Sequence, residues 1–141
     1  MIIRALKAWS VPEEAVTLLS PADELIPRYL LMGDAGFLII EDLPTARKAV
    51  SVKFGEYLAC GLPVICTPFV EGAAGLVRDY DCGIVVNRAD RESFKALDDL
   101  IRRHDTIRRN GFHLVQSYLS VQVNAGKFLA IYRDGMAAGG K

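Results

Sequence analysis

Residues 51–65 read Ser51-Val52-Lys53-Phe54-Gly55-Glu56-Tyr57-Leu58-Ala59-Cys60-Gly61-Leu62-Pro63-Val64-Ile65. The first ten carry a helical pattern. Gly61 and Pro63 stop it, because glycine accepts the left-handed turn that closes a helix and proline cannot extend one. Pro63-Val64-Ile65-Cys66 then reads as a strand, short and wholly apolar. A helix that turns tightly into an apolar strand is the second half of a strand–helix–strand unit, and the flanking sequence supplies the rest.

Upstream, Phe37-Leu38-Ile39-Ile40 is apolar on both faces, as a parallel strand covered by helices should be. Before it, Leu25, Ile26, Tyr29, Leu30 and Met32 recur at helical spacing, with Ser20 expected as N-cap and Pro21 in the first turn. Val16-Thr17-Leu18-Leu19 is a further strand expectation from its β-branched and aliphatic residues. Downstream come a short helix over about Gly72–Asp79, a strand at Gly83-Ile84-Val85-Val86, and a helix from an Asp90 cap to about Arg103. Phe94, Leu97, Leu100 and Ile101 share one face of that helix. Helical patterns cover about Thr106–Leu119 and Val121–Tyr132, and there is no internal repeat.

Strands alternating with helices predict an α/β fold: a Rossmann-like, doubly wound parallel sheet with helices on both faces, plus C-terminal helices. Residues 1–15 read as a helix, Ile3 to Trp9, and a turn, Ser10-Val11-Pro12-Glu13. A doubly wound domain usually starts with a strand, so the first strand is expected upstream of Met1. One domain is expected over residues 1–134, with a flexible tail over 135–141.

The chain has 141 residues, with 17 Lys plus Arg against 17 Asp plus Glu, a size that buries a single core. Zero net charge argues against nucleic acid or an anionic membrane as main partner, since both reward a basic excess. Cys60, Cys66 and Cys82 show no metal-ligand spacing with histidine and read as free thiols of a reducing compartment. With neither a leader-like start nor an apolar run of membrane-spanning length, the chain reads as soluble and cytoplasmic.

In open α/β sheets, ligands sit beyond the carboxyl ends of the strands, at loops entering helix N-termini. The link after Ile40 is the longest of these and leads into residues 51–65. Lys53 lies in the first helical turn, where free N–H groups and the helix dipole favour an anion. Glu56, three residues on, shares its face and has the chemistry to accept hydrogen bonds from a ribose diol. A nucleoside diphosphate needs both functions side by side. The bland alternative is an exposed Lys53–Glu56 ion pair of no consequence. Gly55 costs helix stability, and with Ser51 and Ala59 it forms a stripe of small residues suited to close approach by a ligand or by a neighbouring strand.

The run Lys53 to Ile65 resembles the motif K-x-x-E-Y-L-A-x-G-L-P-V of glycosyltransferases built from two Rossmann-like domains, the GT-B fold. It is most similar to the retaining group 1, family 4 type, which includes many bacterial mannosyl-, glucosyl- and N-acetylaminosugar transferases. Tyr29 to Leu38, and Glu71 through Val86, resemble the flanking family segments, and the likeness covers about residues 10–104. It implies that Glu56 binds the ribose of a UDP- or GDP-sugar donor, that Lys53 lies near the diphosphate, and that the base packs by Ser20 and Pro21. Many members carry a second glutamate eight positions earlier; Lys48 stands there, leaving Thr45, Arg47 and Ser51 as the polar candidates for the donor sugar. The resemblance further implies an acceptor domain preceding this one in the same chain, with basic phosphate-binding residues before Met1. It implies no metal or other cofactor, retention at the anomeric carbon, a place in polysaccharide biosynthesis, and membrane association only peripherally and in the full-length enzyme. Residues 1–141 alone are then expected to bind donor weakly or not at all and to transfer no sugar.

Two rivals share these features: the C-terminal half of a sugar-nucleotide 2-epimerase, and a non-enzymatic flavodoxin-like interaction module. Glu41 and Asp42 mimic part of the acidic cluster of a phosphorylation receiver, but Ser20-Pro21-Ala22 stand where its other acidic residues belong. His104 and His113 read as surface or structural histidines, Asp34 as a turn former, and Trp9 and Tyr80 as isolated aromatics.

Overall fold

A computed structural model describes residues 11–42, 44, 47, 50–87 and 91–138. Two 3-10 turns, Glu13–Ala15 and Asp23–Leu25, lead into helix α1 (Ile26–Leu30) and strand β1 (Gly36–Leu38). There follow α2 (Val52–Ala59), β2 (Val64–Cys66), α3 (Glu71–Tyr80), β3 (Gly83–Val85), α4 (Arg91–Arg102) and α5 (His104–Leu114). A π-helical turn, Val115–Leu119, joins α5 to the last helix, α6 (Val121–Ala138). The expected helix Ile3–Trp9 and the Asp90 cap lie outside the described residues.

The three strands form one parallel sheet in the order β1-β2-β3, with Gly36 opposite Val64 and Val64 opposite Gly83. Helices cover both faces. On one, Leu38, Val64 and Cys66 meet Phe54 and Leu58 of α2, Ala73, Ala74 and Val77 of α3, and Leu114 of α5. On the other, Ile65 meets Leu100 of α4 and Ile107 of α5. The α/β class and Rossmann-like arrangement expected from the sequence are therefore present.

Two glycines are required by geometry. Gly61 has φ +76° and ends α2 with a pair of bonds: its N–H donates to Leu58 O at 3.0 Å, and that of Leu62 donates to Tyr57 O at 2.8 Å. A Cβ on Gly83 would stand 1.9 Å from the Val64 carbonyl oxygen, so only glycine lets β3 approach β2.

Three expectations are corrected. Val16–Leu19 is not a strand, and Leu18 and Leu19 are each 56% exposed. Strand composition does not suffice without a partner. In the doubly wound order 3-2-1-4-5-6, three neighbours in chain order correspond to 4-5-6, and the preceding strand lies at the far edge beyond strands 2 and 1. No such neighbour is present among the described residues. The second helix does not start at Ser20: Ala22 is the N-cap of the turn at Asp23, no side chain caps it, and Pro27 enters α1 proper. Finally, α6, expected over about Val121–Tyr132, runs on to Ala138.

Candidate functional site

Right-handed connection of β1 to β2 places the N-terminus of α2 beyond the carboxyl edge of the sheet, where ligands of such folds bind. The chain reaches it through a latch that the sequence reading missed. Thr67, directly after β2, is buried; its Oγ1 donates to Ile40 O at 2.8 Å and accepts from Ile40 N at 3.2 Å. The Thr67 N–H also donates to Leu38 O at 3.4 Å. One hydroxyl thus fixes where the chain leaves β1 on its way to α2.

Ser51 is the N-cap of α2 with extended backbone (φ −64°, ψ 141°), but its side chain makes no capping hydrogen bond. Among the described residues no side chain caps the first turn, whose Phe54 N–H donates to Ser51 O at 3.0 Å. Phe54 and Leu58 point into the core at 0% and 1% exposure, which turns the opposite face of α2, bearing Val52, Lys53, Glu56 and Ala59, outward. Glu56 forms no hydrogen bond or ion pair among the described residues, and Lys53 does not pair with it. The bland ion pair weighed from the sequence is absent.

Glu56 lies between two clefts. The first, about 580 Å³, is bounded by Ser51, Gly55, Glu56 and Ala59 of the α2 side and by Val115, Leu119 and Ser120 of the C-terminal segment. The second, about 640 Å³, is bounded by Glu56, Ala59 and Cys60 and by Asp23, Ile26, Pro27 and Leu30. The small-residue stripe Ser51-Gly55-Ala59 thus lines a cleft, and nothing lies within 4 Å of where a Gly55 Cβ would stand. The wall formed by Val115–Ser120 went unread in the sequence. Its signal was Ser120, whose Oγ accepts the Val123 N–H at 3.3 Å and so caps α6 as a serine between two helical patterns does.

The remaining sequence candidates are placed as follows. Lys53 is exposed one turn from Glu56 and borders neither cleft. Arg47 is held by Asp42, its Nε and Nη2 donating to Oδ1 at 3.0 and 2.8 Å. Ser20 is exposed and Pro21 half-buried, and neither borders these clefts; Asp23 takes that place. Thr45 and Lys48 lie outside the described residues. His104 Nε2 stands 3.0 Å from Asp34 O and ties the start of α5 to the entry of β1.

Burial, and secondarily the nearby Glu56 carboxylate, raises the Cys60 thiol above its ordinary range. Burial pushes Cys66 up to about 11 and Cys82 up to about 12. All three thiols are free, and none has the depressed pKa of a nucleophile. Among the described residues no group of three or more His, Cys, Asp or Glu is arranged to hold a metal, and no helix is long and apolar enough to cross a membrane. A third cleft, about 300 Å³, opens on the other sheet face between Phe37, Ile39, Ile65, Ile84 and Phe94. Its lining carries no charge and suits no phosphate.

Among the described residues the arrangement offers a helix N-terminus without a side-chain cap, a lysine beside it, and a carboxylate without a partner one turn deeper on a cleft of ligand size. The sequence model of the family described as Glycosyl transferases group 1 matches residues 4–103. No curated protein and no solved structure matches the chain.

Proposed function

The chain belongs to the group 1 glycosyltransferases, and from that premise we propose that it is the donor-binding half of a transferase that moves a hexosyl group from a nucleoside-diphosphate sugar to an acceptor. One observation carries this proposal: Glu56 presents an exposed carboxylate, without a partner among the described residues, on the cleft side of α2, one turn from the N-terminus at the carboxyl edge of the sheet. A diol is the natural partner of such a carboxylate, which accepts two hydroxyl hydrogen bonds at once. The diphosphate then lies over the first turn of α2, where Val52 and Lys53 offer backbone N–H groups and the Lys53 ammonium adds a point charge.

In this scheme the residues of this chain bind and orient; an acceptor domain of the same enzyme brings the nucleophile. Departure of the nucleoside diphosphate leaves negative charge on its outer phosphate, which the helix N-terminus and Lys53 stabilise more than they stabilise the bound donor. Transfer proceeds with retention at the anomeric carbon. The base is uracil or guanine, and the cleft bordered by Asp23 and Pro27 supplies an apolar wall for it, with the Asp23 carboxylate as an acceptor beside Glu56.

Calorimetric titration of the full-length protein with UDP and with GDP tests the assignment. Tight binding of one nucleotide, weakened at least tenfold in Glu56→Ala and much less for the matching 2′-deoxynucleotide titrated against that variant, is the expected result. Absence of binding, or binding indifferent to Glu56→Ala, sinks it and returns the non-enzymatic module to first place. Product analysis with and without acceptor separates transfer from 2-epimerisation.

A further inference from the structure

The cleft that takes the base in the scheme above carries two carboxylates and little else that is polar. Asp23 and Glu56 both border it, and neither has a hydrogen-bond or ion-pair partner among the described residues. The rest of its wall is apolar, Ile26, Pro27 and Leu30 facing Ala59, apart from Cys60, whose thiol is a weak donor. The backbone adds few donors. The Leu25 N–H donates to Ala22 O at 2.9 Å, that of Ile26 to Asp23 O, and that of Cys60 to Glu56 O at 3.0 Å. Pro27 has no N–H to offer. Arg28, the basic residue of α1, does not border the cleft.

A cleft that presents acceptors selects a ligand that presents donors. A nucleoside diphosphate is itself an anion, so a carboxylate against it is unfavourable unless an N–H or O–H is turned toward the carboxylate. The ribose hydroxyls meet that need at Glu56; at Asp23 it falls on the base. Guanine carries N1–H and an N2 amino group side by side on one edge, and a carboxylate accepts from both at once. Uracil carries one N3–H between two carbonyl oxygens, which would face the Asp23 oxygens with only the Cys60 thiol to answer them. Adenine and cytosine each set a ring-nitrogen acceptor beside the amino group. We infer that Asp23 selects guanine, so that the donor is a guanosine-diphosphate sugar. This assignment rests on the reading of Glu56 as the ribose ligand.

The setting of Asp23 fixes how strongly it discriminates. It opens the 3-10 turn Asp23–Leu25, and its carbonyl oxygen accepts the Ile26 N–H, so the carboxylate is presented from an anchored point of the backbone. Asp23 is also exposed, and water competes for its oxygens. Discrimination therefore stays below the roughly 10⁴-fold or more of a buried polar site. Charge-assisted hydrogen bonds that are partly open to solvent give a preference of about 10–100-fold for GDP over UDP.

Calorimetric titration of the full-length protein with GDP, UDP and inosine diphosphate, which lacks the N2 amino group, reads this preference. GDP should bind most tightly, UDP about 10–100-fold more weakly, and inosine diphosphate between them. Asp23→Asn should weaken GDP by about tenfold or more, bring it level with inosine diphosphate, and leave UDP no weaker. Glu56→Ala should weaken all three. UDP bound as tightly as GDP, with Glu56→Ala still weakening it, overturns the guanine assignment and leaves the donor-binding reading standing. A preference for GDP that survives Asp23→Asn, or GDP and inosine diphosphate bound equally by the unaltered protein, overturns the role of Asp23. Absence of binding by every nucleotide overturns the inference together with the reading beneath it.

Discussion

Gly55 is the position where stability and binding should move in opposite directions. It lies inside α2, where glycine is about 0.8–1 kcal/mol less favourable than alanine. Part of that difference comes from the greater freedom glycine gives the unfolded chain. A methyl group there meets nothing within 4 Å, so no steric cost offsets the gain. Gly55→Ala should therefore raise stability by close to 1 kcal/mol, a Tm increase of about 3–4 °C for a domain of this size. The same methyl projects into the cleft bounded by Ser51 and Glu56. If the nucleotide lies there at van der Waals distance, its affinity should fall about tenfold, near 1.4 kcal/mol. Thermal unfolding with and without UDP or GDP measures both effects on one sample of full-length protein. A lower Tm without ligand would refute the geometry of α2. A higher Tm with undiminished nucleotide binding would refute the placement of the ligand against this face.

Other perturbations have equally definite signs. Thr67→Val keeps the shape of the side chain but removes both bonds to Ile40, and should cost about 1–3 kcal/mol; hydrogen exchange should accelerate first at the Ile40 amide, and slow exchange there would refute the latch. Gly83→Ala drives a Cβ onto the Val64 carbonyl and should separate β3 from β2, with loss of cooperative unfolding by circular dichroism. Burial pushes the Cys66 and Cys82 thiols from an ordinary 9.0 up to about 11 and about 12, so the native state holds more protons above pH 9 and stability falls as pH rises from there to about 12. Urea titrations at pH 8, 9 and 10 should show that fall, and Cys66→Ala should reduce its slope by about half, leaving the share of Cys82; an unchanged slope would mean the Cys66 thiol is not among the groups responsible. At pH 8 and without denaturant, a thiol reagent should leave both cysteines unmodified.

Where the sequence could be read, local chemistry and tertiary need agreed. Gly61 announced the end of α2 because its left-handed backbone is a local demand, and the packing of Phe54 and Leu58 followed from helical periodicity. Glu56 could be placed on the opposite side by the same count. Val16–Leu19 misled because a strand is a property of a pair, and β-branched residues say nothing about whether a neighbour is present. Ser20 misled in a smaller way: a good capping residue two positions before Ala22 was available but not used. The Arg47–Asp42 bridge, the Thr67 latch and the wall of the cleft from Val115 to Ser120 join residues distant in sequence or lodged in irregular backbone, where no period exists to be counted.

The sheet order has a consequence for how the chain acquires its shape. Among the described strands each one after the first pairs with its predecessor, Val64–Cys66 with Gly36–Leu38 and then Gly83–Val85 with Val64–Cys66. As the polypeptide leaves the ribosome, every new strand finds its template already made, and the helix between them needs to close only a short loop. Assembly of this kind can advance vectorially during synthesis, with few waiting edges and a low entropic barrier at every step.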